Sequence, residues 1–145
     1  MAIWSAIASL FLGIVGWFAT SFFAKPFLDF LTLRGLVFEE MIFTANVDQI
    51  VEGTPAYWTV VETLRRLGAK VLATDIAASR QLRWFLSKRG YDLTTAGSNL
   101  IGLSNSLNVK GRHLHADRIE KGLRLPRTSS DEFLDAIKEE IRRGS

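Results

Sequence analysis

Cysteine is absent from this chain, which excludes disulfide bonds, thiolate metal sites and cysteine nucleophiles. Histidine occurs only at His113 and His115, and proline only at Pro26, Pro55 and Pro126. Charge is missing from one long stretch, because no Asp, Glu, Lys or Arg precedes Lys25. No run alternates apolar and polar residues long enough to make a strand, and no internal repeat is visible. There is no Gly-rich loop ending in Gly-Lys-Ser/Thr and no Gly-x-Ser-x-Gly elbow, so phosphate-loop and serine-hydrolase chemistry have no carrier.

The charge-free stretch, Ala2 to Ala24, is the most informative segment. As a helix it would measure roughly 34 Å, against a bilayer hydrocarbon core of about 30 Å. Trp4 at one end and Phe22, Phe23 and Lys25 at the other are residue types that settle at headgroup level. A cleaved signal peptide is disfavoured, since no base precedes the run and Phe22-Phe23-Ala24-Lys25 lacks a small-x-small cleavage site. Lys25 and Arg34 follow the run closely, which places the N-terminus outside and the rest of the chain in the cytoplasm. Ser5, Ser9, Gly13, Gly16, Thr20 and Ala24 form a stripe of small residues along the anchor that would permit close helix association, although small residues are also common in spanning helices.

Beyond the anchor the 3.6-residue period dominates. Phe27, Phe30, Leu31, Val37, Phe38, Met41 and Ile42 share one arc of a helix ending near Asn46, with Pro26 either opening that helix or kinking a continuing one. Asn46 to Gly53 reads as a loop. Thr54 and Pro55 open a helix through Asp75, with Tyr57, Val61, Leu64, Leu67 or Gly68, and Val71 inward; Gly68 either ends or weakens it. A third helix covers Ser79 to Arg89 with Gly90 as its stop, and Asp92 caps a fourth over Leu93 to Leu107. Leu93, Ala96, Leu100, Leu103 and Leu107 make its seam, and Gly97, Ser98, Gly102, Ser104 and Ser106 favour close packing of a neighbour. Leu114 to Leu125 makes a fifth, stopped by Pro126, and Ser129 to Glu132 caps a last one with Phe133, Leu134, Ile137 and Ile141 inward. The expected fold is all-α: a transmembrane anchor over 1–25, a small helical bundle over 26–127 and a C-terminal amphipathic helix over 128–145.

The total charge of +3 conceals an asymmetry. Lys25 to Glu62 holds two bases and six acids (−4), Arg65 to Arg127 thirteen bases and four acids (+9), and Thr128 to Ser145 three bases and five acids (−2). Arg80, Arg83, Lys88 and Arg89, with Trp84 and Phe85 between them, can lie against anionic headgroups; alternatively the basic segment packs beside the acidic one and offsets it. Arg34 falls in an apolar arc and needs a carboxylate or carbonyl partner, either as a structural pairing that fixes helix docking or as a lipid-phosphate contact. His113-Leu114-His115-Ala116-Asp117 suggests a metal, but two histidines two apart on a helix diverge and further ligands are missing, so a solvated helix start is expected. Glu39-Glu40 and Glu139-Glu140 are adjacent acids that diverge on a helix.

The segment LTLRGLVFEEMIFTANV (residues 31–47), the triplet Gly90-Tyr91-Asp92 and LIGLSNSL (residues 100–107), behind one hydrophobic helix, resemble a family of small single-pass bacterial membrane proteins of uncharacterised function. The resemblance covers about residues 3–125 and implies a bacterial inner membrane and a helical domain, with no substrate or catalytic residue. The expected function is a membrane-anchored interaction or regulatory module without catalysis or cofactor. The alternative is an oligomerising membrane-perturbing effector or pore former, with a metal-dependent hydrolase as a minor third. Expected partners are membrane lipids, a protein at the cytoplasmic face and further copies through the anchor; nucleic acid is disfavoured for want of a recognition motif.

Overall fold

The apolar run does not end where its charge-free stretch ends. In the computed structural model, which describes residues 2–46, 52–109, 111–127 and 142–143, helix α1 (Ala2–Ala19) passes through a single π turn (Thr20–Ala24) directly into α2 (Lys25–Asn46). Pro26 is the physical reason for the π turn. Its ring would press on the carbonyl four residues back, and widening the preceding turn by one residue relieves that contact. Lys25 N–H accordingly donates to Thr20 O, five residues back. At 1.5 Å per residue the combined helix is roughly 65 Å long. Its stretch Ile7–Ala45 is long and apolar enough to cross a membrane, with the first part bare and one face of the second buried in the bundle. Proline thus continues the helix and opens no new one, and the expected division at residue 25 is not a break in the chain's secondary structure.

The remaining helices are α3 (Pro55–Ala77), α4 (Arg80–Lys88), α5 (Leu93–Asn105) and α6 (Arg112–Leu123), with no strand among the described residues. Their starts are dictated locally. The side chains of Thr54, Ser79 and Asp92 accept hydrogen bonds from Tyr57 N, Leu82 N and Thr95 N, each satisfying one otherwise orphaned helix N–H. Helix α4 ends at Gly90 (φ +79), where Tyr91 N–H reaches Leu86 O and Gly90 N–H reaches Ser87 O, a Schellman closure. Helix α6 ends two residues before the expected Leu125, because Arg124 takes the left-handed conformation (φ 50) and the same closure forms with Leu125 N–H on Glu120 O. The expected C-terminal helix with Phe133, Leu134, Ile137 and Ile141 lies outside the described residues.

Helices α2, α3, α5 and α6 run alternately away from and toward the anchor, and α4 crosses the anchor-proximal end. Arg65 Nη2 meets Asn105 Oδ1 (2.6 Å) at one end of the α3–α5 pair and Thr94 Oγ1 meets Asp75 Oδ2 (2.8 Å) at the other, which fixes them antiparallel. The core includes Phe30, Leu33, Val37 and Met41 of α2, Tyr57, Val60, Val61, Leu64, Leu67 and Val71 of α3, Leu82 and Leu86 of α4, and Ile119 and Leu123 of α6 with Leu125 just beyond it, around the α5 seam. Leu93, Ala96, Leu100, Leu103 and Leu107 of that seam are all buried, and each buried Leu is worth at most about 1.5–3 kcal/mol.

Gly68 neither ends nor frays α3; it is where α3 and α5 cross. A Cβ at Gly68 would stand 2.8 Å from Ile101 Cγ1 and 2.9 Å from Gly97 O, and one at Gly97 would stand 2.7 Å from Leu72 Cγ. The backbone oxygen cannot yield without moving α5. Gly68→Ala should therefore destabilise by about 1–3 kcal/mol despite its better helix propensity. Gly35→Ala, with nothing within 4 Å of the new Cβ, should stabilise by about 0.5–1 kcal/mol. Thermal unfolding of the full chain in detergent measures both, and matching shifts of the same sign would refute the crossing-point role of Gly68.

Candidate functional site

Helix α4 is short, and its hydrophobic residues decide where it sits. Leu82, Phe85 and Leu86 share one face; Leu82 and Leu86 enter the core, while Phe85 is half-buried and turned toward the foot of the anchor. Its ring meets Phe23 edge-on at 5.1 Å and Phe27 edge-on at 5.5 Å. Phe23 and Phe27 stack on one another at 6.4 Å, and one turn further Phe30 meets Tyr91 at 5.0 Å. This aromatic clasp pins α4 to the helix at the level where the bare part ends. Beside it lies a groove of about 570 Å³ lined by Phe23, Arg80, Gln81, Trp84 and Phe85.

The six residues singled out from sequence as lipid or partner contacts divide into two groups. Arg34 is structural: its Nε donates to Leu123 O at 2.8 Å and its Nη2 to Arg124 O at 2.6 Å, so a cation closes the negative end of α6. Its Nε and Nη2 are thereby engaged within the fold. Arg83 does the same for α3, donating to Asp75 O at 2.7 Å with its Nε 3.7 Å from the Asp75 carboxylate. Arg89 lies 5.0 Å over the Phe85 ring. Arg80, Trp84 and Lys88 are left on the exposed face of α4, and no ion pair or side-chain hydrogen bond joins Arg80 or Lys88 to another described residue.

Glu62 of the acidic segment pairs with Arg66 of the basic one on the exposed flank of α3. Among the described residues no ion pair joins Asp29, Glu39 or Glu40 of α2 to a base. A cation that the sequence did not single out completes the arrangement: Arg124 Nη1 donates to Arg89 O at 2.7 Å, capping α4. No sequence signal marks it, since a left-handed helix stop is ordinarily announced by Gly or Asn.

His113 and His115 have different surroundings. The His115 ring packs over Gly102, where a Cβ would stand 2.6 Å from its Cε1, and its Nδ1 lies 2.9 Å from Asn99 Oδ1. Half-buried His115 thus corrects the expected solvated helix start, while His113 is exposed. Asp117 receives a hydrogen bond from Lys121 Nζ (2.8 Å), which holds its carboxyl below the usual range. Among the described residues no three His, Cys, Asp or Glu side chains are grouped to hold a metal ion. On the anchor, Gly13 and Gly16 have nothing within 4 Å of a built Cβ, and Thr20 Oγ1 donates to Gly16 O at 2.9 Å. Ser9 and Gly13 line a shallow notch with Leu10, Ile14, Trp17 and Phe18. The side chain of Ser5 lies outside the described residues.

No family model matches the chain, and neither a curated protein nor a solved structure is detectably similar to it. The motifs that carry the resemblance have structural work in this fold: residues 31–46 supply Arg34 with Leu33, Val37 and Met41 of the core, Gly90-Tyr91-Asp92 is the stop, packing residue and cap between α4 and α5, and residues 100–107 carry three of the five seam residues.

Arg34 gives the sharpest mutational expectation. Hydrogen bonds from a charged donor contribute about 1.5–3 kcal/mol each, and Leu123 O would be left without that donor, so Arg34→Ala should cost about 2–4 kcal/mol. Arg34→Lys keeps the charge but cannot fork onto two carbonyls and should recover less than half of the loss. Urea unfolding in detergent measures this, and a loss under about 0.5 kcal/mol for Arg34→Ala would assign Arg34 the small weight of an exposed contact.

Proposed function

We propose that this chain is a single-pass membrane tether whose N-terminus faces out and whose helical bundle stands on the cytoplasmic face as an interaction or regulatory module, with no reaction of its own. The observation that carries the proposal is the uninterrupted helix Ala2–Asn46, bare along its first half and core-forming along its second. A helix of that kind transmits position and rotation to the bundle without a linker. The resemblance to small single-pass bacterial proteins favours a bacterial inner membrane, and Lys25 with Arg34 supports the cytoplasmic side.

The full chain should stay with membranes through carbonate and high-salt washes, because a spanning helix does not depend on charge. With no native cysteine to interfere, single Ala2→Cys and Ser145→Cys variants report topology through a membrane-impermeant maleimide. Labelling of intact cells at position 2 alone is expected. Release by carbonate, or labelling at position 145 alone, would refute the arrangement.

A second reading, in which anchors assemble and perturb the membrane, is favoured by one observation: the notch at Ser9 and Gly13, about 460 Å³ and open on the bare face. In lipid, helices associate by close packing of small residues. Gly13→Ile should then abolish crosslinked oligomers while Leu12→Ile leaves them. Dye leakage from vesicles that disappears with Gly13→Ile would favour the pore former; monomeric anchors in tight vesicles would leave the tether.

A further inference from the structure

The tether reading sets a depth scale for α4, and a lipid site on that helix rests on this reading. If Ala2 to Ala24 crosses the hydrocarbon, Phe23 lies at its lower boundary and Lys25 in the headgroups. Helix α4 is clasped to that same level by Phe85 on Phe23 and Phe27. The groove at this level has an apolar wall, Phe23 and Phe85, and a polar rim, Arg80 and Gln81, with Trp84 exposed by 63 % along its edge. An occupant matching this lining is anionic at one end and apolar at the other.

We propose that this groove binds one anionic phospholipid of the adjoining leaflet, its phosphate held by Arg80 and its upper acyl chain lying along Phe23, Phe85 and Trp84. Charge complementarity carries the headgroup. Among the four bases of the α4 region, Arg83 is engaged with the end of α3 and Arg89 with the Phe85 ring, and only Arg80 and Lys88 lack a counter-group among the described residues. Of the nearby acids, Asp75 already receives Thr94 Oγ1 and lies by Arg83, and Asp92 holds the α5 start and Thr95 Oγ1. The tail is carried by the site's continuity with the bare helix, since Phe23 belongs both to the groove and to the foot of the anchor. Guanidinium and phosphate pair in a forked geometry, and Trp favours this interfacial depth.

The test uses the full chain with Trp4, Trp17 and Trp58 changed to Phe, so that Trp84 alone reports, reconstituted in vesicles of equal phosphatidylglycerol and phosphatidylcholine. Brominated acyl chains are carried on one lipid or the other. Brominated phosphatidylglycerol should quench Trp84 with a relative association constant about five-fold above that of brominated phosphatidylcholine, the ratio expected of one headgroup cation. Arg80→Gln should bring the two lipids to parity, whereas Arg66→Gln, a charge-matched change on the flank of α3, should not. Equal quenching by both lipids in the parent would overturn the site, as would quenching by neither, including the case in which a soluble acidic peptide shifts Trp84 emission instead. A companion chain retaining only Trp17 separates the two proposals: quenching of Trp17 without selectivity at Trp84 refutes the lipid site and keeps the tether, and no quenching of Trp17 refutes the tether itself.

Discussion

The guanidinium of Arg34 on the last carbonyls of α6 is the contact on which the anchor-proximal end depends. It joins positions 89 and 90 residues apart in sequence and brings the final helix back against the one that leaves the anchor. A helix that ends inside a bundle leaves carbonyls without partners and a partial negative charge, and burial of such an end is costly unless a donor reaches it. Arg34 supplies two donors from a planar group on a packed helix. The same solution recurs on either side, with Arg83 on α3 and Arg124 on the end of α4. Arg124 shows the coupling between these closures: its backbone adopts the left-handed conformation that ends α6, and its side chain then caps the neighbouring helix.

The division of labour among the bases follows from this. A stretch with a surplus of nine positive charges looks, in one dimension, like an uncompensated patch. In three dimensions two of those cations, Arg83 and Arg124, answer backbone dipoles, which carry no formal charge and therefore never appear in a count of acids and bases. On α4, Arg80 and Lys88 are left without such a role.

Most of the architecture was legible because its determinants are local. Thr54-Pro55, Ser79 and Asp92 open helices by capping, Gly90 closes one, and the α5 seam follows from spacing alone. The partner of Arg34 was legible as a kind, carbonyl or carboxylate, though not as an address, because a helix terminus 89 residues away leaves no mark near position 34. Three features escaped for the same reason. The π turn depends on how Pro26 meets a helix already formed above it. The inward turn of Phe85 depends on Phe23 and Phe27 sharing a face across that turn. The rest of His115 on Gly102 depends on how closely α5 and α6 approach. The groove at α4 was visible in sequence as a mixture of bases and aromatics, but its division into engaged and unengaged groups needed the fold.

The absence of any joint between α1 and α2 also fixes geometry. With the anchor in a bilayer, α2 extends roughly 33 Å below it at 1.5 Å per residue, and the bundle is strapped along that length. Under the tether reading, a flexible linker would let such a domain sweep a hemisphere, whereas a helix without a joint holds the bundle in a layer about that deep, so a partner confined to the same membrane would meet it at a fixed height.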